Sequence, residues 1–565
     1  MKRYPSVDYL RGLAIFLMVF LHTFMRWFDQ GTLEQQVMDG VAPLSIVVLL
    51  AICLFFGSWC GFFLMVSALG NMISMHKGLE KGLSVKSLVI KQVVGGFLLL
   101  LFAYLSEGMI GYKGAIGDLL KHPGSTTWWE LILFRGYHME TIHAVAWCVI
   151  LNGLVQGLLS MNGGWKKINR NIKIYIILAV VVIIATQFVW WAFDNWISNI
   201  TGIPDLDWSN GNNPISGTHW YRGHLTKLPW WWNLAAIFLQ PWAGNVEPIF
   251  PFLAVSFIGS IIGLYLMEVK DKKDLKDTST LKKGMLVGFL MAFIGLLLVV
   301  IPIVLDDPFD IFTLLGEGFN VTGLERDFGW TWLPYFIMCT GSQLGAICLV
   351  FRLVEFRARS KKTANNTKFF RRFGFVAFSV YNFQFIDVLV VYPIGFLFGK
   401  TMNSMSFDAL QIWIVIAAIL LLWHGVLLLW EKVHFALGLE WMIAKIAGIL
   451  FPSKKREGEE KLPWWKSKRL DPKTMFYEPE WIDIITDENI DHENLKDSKL
   501  AWKVSLTGWI FFPSFWVALT LAKASIEKEG ENEFNKKAKI MGIIGSCVFA
   551  FNLTLLSILT TAILG

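Results

Sequence analysis

Charge is scarce in this chain. Of its 565 residues only 17% are Asp, Glu, Lys or Arg, against 55% hydrophobic, and mean hydropathy is +0.51. No soluble domain of this length has an interior large enough to hide that much apolar surface, so a water-soluble globular protein is excluded. Cysteine is sparse too. The six (Cys53, Cys60, Cys148, Cys339, Cys348 and Cys547) all fall in apolar stretches, with neither metal-ligand spacing nor a disulfide framework. No internal repeat is evident. No small-residue cleavage site follows the first apolar run, so no cleavable signal peptide is expected.

What is present is hydrophobic sequence in blocks of about twenty residues, the length a helix needs to cross ~30 Å of hydrocarbon at ~1.5 Å per residue. Helices satisfy their own backbone hydrogen bonds, so the expected fold is an all-α, polytopic transmembrane helical bundle. Spans are read near 9–28, 46–74, 88–107, 139–160, 173–193, 248–267, 284–305, 331–352, 374–398 and 409–430. Two more, near 503–523 and 540–563, would make a C-terminal two-helix hairpin. The second stretch is too long for one straight helix. It is expected to break near Gly57 or to begin as an interfacial segment.

Basic residues orient the bundle. Lys2 and Arg3, Lys77 to Lys86, Lys166 to Arg170, Lys270 to Lys283 and Arg357 to Arg372 all fall on one side if the spans alternate. The opposite loops hold Asp29, Glu34, Asp39, Asp205, Asp207, Asp306, Asp307 and Asp310. The amino terminus is therefore expected to be cytoplasmic. The net charge of +7 comes from those basic loops. They suit anionic membrane lipids or an anionic cofactor and give no reason to invoke nucleic acid.

Three regions are expected: a transmembrane domain over 1–450, a cytosolic polar linker over 451–501, and the two-span hairpin over 502–565. Residues 435–450 pattern as an amphipathic helix on the cytoplasmic side, with Glu440 and Lys445 beside Leu437, Trp441, Ile443 and Ile446. The loop 194–247 carries Trp196, Trp208, Trp220, Trp230, Trp231, Trp232 and Trp242. It reads as an interfacial aromatic belt, or as a lid or acceptor-binding surface, since indole faces stack on sugar rings.

A charge at membrane depth costs ~2.5–3.5 kcal/mol and usually marks a site or a pathway. The first span contains Asp8, Arg11 and His22 in RYPSVDYLRGLAIFLMVFLH. Asp8 and Arg11 are spaced to pair one turn apart. His22 stands 14 residues beyond Asp8, which is ~21 Å along the axis, on a face similar to that of Arg11. The result is a polar stripe inside the bundle. Interfacial anchors and a satisfied core histidine are the plainer alternatives.

In the fourth span, Glu140 and His143 form an i,i+3 pair suited to setting the tautomer and basicity of an imidazole. No further ligands converge on it, so no metal is expected. In the ninth, Tyr381, Asn382, Gln384 and Asp387 put polar groups deep in hydrocarbon. Asn382 and Gln384 do not share a face, so helix contacts are expected to account for one of them. Lys368, Arg371 and Arg372 precede this span, as topological anchors or as ligands for the phosphates of a cytosolic cofactor. Glu247 opens the sixth span.

With those residues in hand, the opening of the chain resembles the transmembrane acyltransferases related to heparan-α-glucosaminide N-acetyltransferase. Their first helix begins R-x-x-S-x-D-x-x-R-G-x-A, matched here by Arg3, Ser6, Asp8, Arg11, Gly12 and Ala14. Arg11 and His22 also resemble the Arg-x10-His motif of the wider acyltransferase-3 group. FFLMVSALGNMIS, METIHAVAWCVIL, FPFLAVSFIGSIIG, VAFSVYNFQ and LGLEWMIAK are similar, in order, to further elements of the superfamily and extend the resemblance over about 1–450. One departure is that the heparan enzyme carries its histidine in the loop after the first helix. This chain has none between residues 23 and 75, so it is nearer the acyltransferase-3 arrangement.

The resemblance implies transfer of an acetyl group from cytosolic acetyl-CoA to an amine or hydroxyl acceptor such as a sugar or glycolipid, by a membrane-bound enzyme. It implies His22 as the central catalytic residue, with Glu140 and His143 as further candidates. Asp8, Arg11, Lys368, Arg371 and Arg372 would serve the donor, while Tyr381, Asn382, Gln384 and Glu247 would line the path. A homo-oligomer is compatible with this. The rival expectation is a secondary transporter or lipid translocator using the same polar path, and a scaffold recruiting partners through 452–500 is a third.

Overall fold

The computed structural model describes residues 2–29, 59–110, 115–121, 141–201, 241–242, 248–270, 279–306, 332–402, 405–408, 410–451, 463–466, 470–477, 480–484, 496–509 and 513–564. Among the described residues nine helices are long and apolar enough to cross a membrane. The chain is an all-α, polytopic membrane protein, as its composition requires.

In chain order the helices are α1 (Pro5–Trp27), α2 (Cys60–Glu80), α3 (Val85–Met109), α4 (Ala115–Lys121), α5 (Thr141–Ser160) and α6 (Ile168–Thr201). They continue as α7 (Ile249–Lys270), α8 (Ser279–Asp306), α9 (Trp332–Leu353), α10 (Ser360–Asn366), α11 (Lys368–Phe375) and α12 (Ala377–Asn382). The rest are α13 (Val388–Leu397), α14 (Gln411–Lys432), α15 (Leu439–Leu450), α16 (Lys496–Thr507), α17 (Pro513–Glu529) and α18 (Glu533–Leu564). The expected second span is seen from Cys60 onward. Its first part, with the break expected near Gly57, lies outside the described residues.

Local sequence sets several of these boundaries. Pro5 occupies the first turn of α1, where its missing N–H costs nothing. Ser84 caps α3 by accepting the Ser87 N–H at 3.2 Å. The apolar faces then sort into two cores. One joins α2, α3, α5, α6, α7 and α9 through residues such as Phe62, Met65, Trp147, Trp190, Phe252 and Phe351. The other joins α11 to α14 through Phe373, Val380, Val391, Ile416 and Trp423.

Helix α1 belongs to both cores. Leu10 and Ala14 enter the first, while Ile15, Val19, Phe24 and Trp27 enter the second. Its crossing with α11 is a backbone contact. A Cβ at Gly12 would lie 1.8 Å from the Phe370 carbonyl oxygen, and one at Gly374 would lie 2.5 Å from the Gly12 nitrogen. Only glycine fits at that crossing. Away from the cores, α6 and α8 present Ile177, Val181, Ile184, Leu286, Leu290 and Phe293 outward, the faces that hydrocarbon would cover.

The ninth span differs from the single helix expected over 374–398. It is broken at Val376 (φ −118°, ψ 44°), runs as α12, tightens into a 3₁₀ turn over Phe383–Asp387, and resumes as α13. Ser379, Gln384 and Asp387 take partners on other helices, which competes with a continuous ladder.

The end of the bundle that carries the amino terminus is heavily bonded. Glu355, following α9, accepts the Ser6 N–H at 3.0 Å and the Ser6 hydroxyl at 2.6 Å. Strand β1 (Lys2–Arg3) pairs in parallel with β2 (Glu480–Trp481), so part of the polar segment after α15 lies along the bundle. Ser360 holds that segment further, by its hydroxyl to the Ile482 carbonyl at 2.7 Å. The C-terminal hairpin is α17 and α18, turning at Gly530 (φ 71°), with the short α16 packed beside it. Arg357 pairs with Asp497, and Arg359 donates to Glu527 at 2.9 Å, tying the hairpin to the loop after α9.

Candidate functional site

The polar residues of α1 face the seam between the two cores, and the broken ninth span meets them there. His22 Nδ1 lies 2.9 Å from Gln384 Oε1. The amide nitrogen of Gln384 is directed at Met18 Sδ, 2.9 Å away, so the amide oxygen is the group turned to the histidine. In the neutral ring His22 therefore donates through Nδ1 and carries its lone pair on Nε2. Tyr381 meets the imidazole edge-on, with ring centres 6.1 Å apart. Gln384 and Tyr381 are buried. Gln384 is the second residue of the 3₁₀ turn, on the side that meets α1.

Asn382 is the helix-bound member of the pair with differing faces: its amide donates to the Phe378 carbonyl at 3.0 Å. One turn beyond His22, Arg26 and Trp27 reach Asp387. The Trp27 indole donates to it at 2.8 Å, and the Arg26 guanidinium stands 3.5 Å away while donating to the Gly117 carbonyl at 3.0 Å. Arg26 is a functional-site residue beyond those expected, and its i+4 spacing from His22 on one helix face is the sequence signal for it.

Toward the amino terminus the expected Asp8–Arg11 pair is not formed. Asp8 accepts instead from Arg3 at 2.8 Å, with Arg371 at 3.9 Å. Arg11 makes no hydrogen bond or ion pair among the described residues. Its guanidinium runs past Gly70 of α2, and it lies in the field of Asp8 and Glu440. The reason is geometric. Arg3 and Arg371 approach Asp8 from outside the helix and take its oxygens, while Arg11 points into the seam.

The three cations before the ninth span are engaged by protein. Arg371 is buried, donating to the carbonyls of Ala364 at 2.9 Å and Met475 at 2.8 Å, with Trp481 at 4.5 Å and Phe476 at 5.3 Å from its guanidinium carbon. Burial pulls its pKa down to about 10, against the opposing charge of Asp8. Arg372 pairs with Glu431 at 2.5 Å, and the Tyr477 hydroxyl donates to the same carboxylate at 2.6 Å. Lys368 sits over the Tyr477 ring at 4.8 Å. Beside them opens a cavity of about 410 Å³ lined by Arg372, Glu431, Lys432, His434, Asp471 and Lys473 among others. The contacts from Met475, Phe476, Tyr477 and Trp481 were not legible, because nothing in a polar segment of that composition announces where it docks.

His143 is fully buried against Tyr104, ring centres 4.4 Å apart. Its neighbour Ile142 packs in one small cluster with Phe383, next to Gln384, so α5 approaches the seam from the other core. Glu140 and Glu247 lie outside the described residues, as does most of the tryptophan-rich loop. No group of three or more metal-ligating side chains is present among the described residues. The chain matches no family model and no curated protein. Fold and site together define a polytopic membrane protein with an imidazole, an amide and, among the described residues, a guanidinium without an ion pair along the seam between two packed halves.

Proposed function

We propose that the protein is a membrane-bound acyltransferase that moves an acetyl group from acetyl-CoA to an amine or hydroxyl acceptor such as a sugar or glycolipid. The observation that carries the reading is the His22–Gln384 hydrogen bond at 2.9 Å, which joins the titratable side chain of α1 to the polar turn of the ninth span. The amino terminus is proposed to be cytoplasmic, from the one-sided distribution of Lys and Arg. The donor would then enter at the amino-terminal end of α1, where Arg11 lies on the way to His22.

His22 Nε2 takes the proton of the acceptor's nucleophilic O–H or N–H as the nucleophile attacks the thioester carbonyl. The carbon–sulfur bond breaks, the proton passes to the departing thiolate, and CoA–SH and the acetylated acceptor remain. In an equivalent two-step route Nε2 attacks first, the carbon–sulfur bond breaks to release the CoA thiolate, and the acceptor then takes the acetyl group from Nε2 while its proton passes to that thiolate.

Radiolabelled acetyl-CoA with the purified protein in lipid nanodiscs tests this. Thioester consumption should occur and should fall by about 10²-fold or more in His22→Ala. Undiminished transfer in that variant removes His22 from the reaction, and absence of CoA binding removes the enzyme.

The interrupted ninth span favours a second reading, a transporter, because broken helices with polar groups at mid-span are how such proteins build binding sites. Sealed vesicles separate the two: uptake of an acceptor sugar without acetyl-CoA supports transport, and acetylation that requires acetyl-CoA supports transfer.

A further inference from the structure

The break in the ninth span creates a need that a continuous helix lacks. Ending α11 at Phe375 and restarting at Ala377 leaves the first amide N–H groups of α12 without partners in their own helix. Glu440, in the first turn of α15, supplies them. One carboxylate oxygen accepts the Phe378 N–H at 2.6 Å, and both oxygens lie 3.3 Å from the Ser379 nitrogen. The Ser379 hydroxyl donates to Glu440 and accepts the Leu439 N–H at 2.8 Å, so it caps α15 in return. Two helix starts thus hold each other through one carboxylate, the charge that both macrodipoles favour. Phe378 and Leu439 pack with Ala103 of α3 around this joint.

From Ser379 the chain has little slack before it reaches His22. Asn382 is bonded back to Phe378, Tyr381 lies edge-on to the imidazole, and Gln384 makes the hydrogen bond. Where α12 sits therefore decides where Gln384 points.

We infer that Glu440 is a positioning residue for the His22–Gln384 pair, holding α12 so that Gln384 fixes the tautomer of His22. This rests on the acyl-transfer reading, and Glu440 itself touches no reacting atom.

The test is a double-mutant cycle on the full chain in nanodiscs. Glu440→Ala should lower kcat for acetyl transfer roughly ten- to hundredfold, with KM for acetyl-CoA unchanged. Glu440→Gln keeps an oxygen acceptor for Phe378 and should recover part of that loss. In a Gln384→Ala background, Glu440→Ala should cost little more, because both act through one contact. Losses that multiply, or an unchanged kcat in Glu440→Ala, overturn the inference. Where Glu440→Ala does not fold, Glu440→Gln with Gln384→Ala closes the same cycle.

Hydrogen exchange over residues 377–387 is measured on the same samples and needs no catalysis. It should quicken in Glu440→Ala, and in Glu440→Gln to a smaller degree. Unchanged exchange overturns the positioning role whatever the activity. A wild type that neither binds CoA nor transfers acetyl, yet loosens at 377–387 on substitution, overturns the acyl-transfer reading and with it the catalytic purpose assigned to Glu440, while the cap itself stands.

Discussion

Replacing Arg371 with methionine should release the segment 473–484 from the bundle. The guanidinium donates to the Met475 and Ala364 carbonyls and lies against Trp481 and Phe476. Hydrogen bonds from a charged donor contribute ~1.5–3 kcal/mol each, and a partly desolvated cation–π contact ~0.5–2 kcal/mol. Burying the cation offsets much of that sum, so the net effect is better taken from broken buried pairs, ~3–5 kcal/mol. Methionine fills similar volume but withdraws the donor from two carbonyls and the second ion-pair partner from Asp8. At ~1.4 kcal/mol per factor of ten, local opening should become about a hundred- to several-thousandfold more frequent. Hydrogen exchange in peptides covering 473–477 and 480–484 reads this directly, with α5 and α7 as internal controls. Arg371→Lys should give an intermediate result, since an ammonium cannot reproduce the fork. Exchange unchanged in Arg371→Met would show that the β1–β2 pairing and the Ser360 contacts hold the segment without Arg371, and the reasoning would fail.

Two further outcomes follow from contacts elsewhere. Gly12→Ala places a Cβ inside van der Waals distance of the Phe370 carbonyl. It should destabilise the bundle by at least ~1–3 kcal/mol, lowering the thermal midpoint, whereas Gly95→Ala, with open space around it, should not. Glu527 is held below the usual carboxylate range, first by its hydrogen bond from Lys362 and then by the charges of Arg359, Lys362 and Lys523. A depressed pKa gives stability that is present above the unfolded value of about 4.5 and lost as pH falls through the folded value. Hydrogen exchange in α17 should therefore quicken as pH falls below that unfolded value, and high salt should weaken the same tie. Pairs this exposed contribute little, so an exchange rate that moves with neither pH nor salt would mean that α17 is held by its apolar contacts alone.

Much of the fold was legible because a membrane imposes its own arithmetic. Length and hydropathy located α1, α3, α5, α7 to α9 and α14 to within about five residues, and α6 more loosely, because a helix satisfies its own backbone in hydrocarbon. The ninth span lies where it was expected, over Ala377–Leu397, but the turn at Val376 and the 3₁₀ stretch inside it were not foreseen. Its hydropathy is that of a span, and only the partners of Ser379, Gln384 and Asp387 reveal the break. The hairpin was expected from 503, yet α17 begins at Pro513 and α16 precedes it as a separate helix. In the site, His22 and Gln384 were both noticed for the expense of placing polar groups in a span, and the resemblance then gave His22 its weight. The Asp8–Arg11 pairing failed because i,i+3 spacing says which residues are neighbours on one helix and nothing about competitors arriving from others. Glu440 escaped because its partner, Ser379, is 61 residues away in sequence.

Helix α1 is shared between two apolar cores that otherwise keep largely to themselves. Hydrophobic cohesion is lost only where buried surface meets water. A parting of the two halves along α1 would wet the stripe of Arg11, His22 and Gln384, and with it the apolar residues that α1 lends to one core or the other. Motion at the seam is therefore coupled to hydrophobic burial and not free of it. The bare backbone crossing at Gly12 and Gly374 is one of the contacts that such a parting must preserve or break.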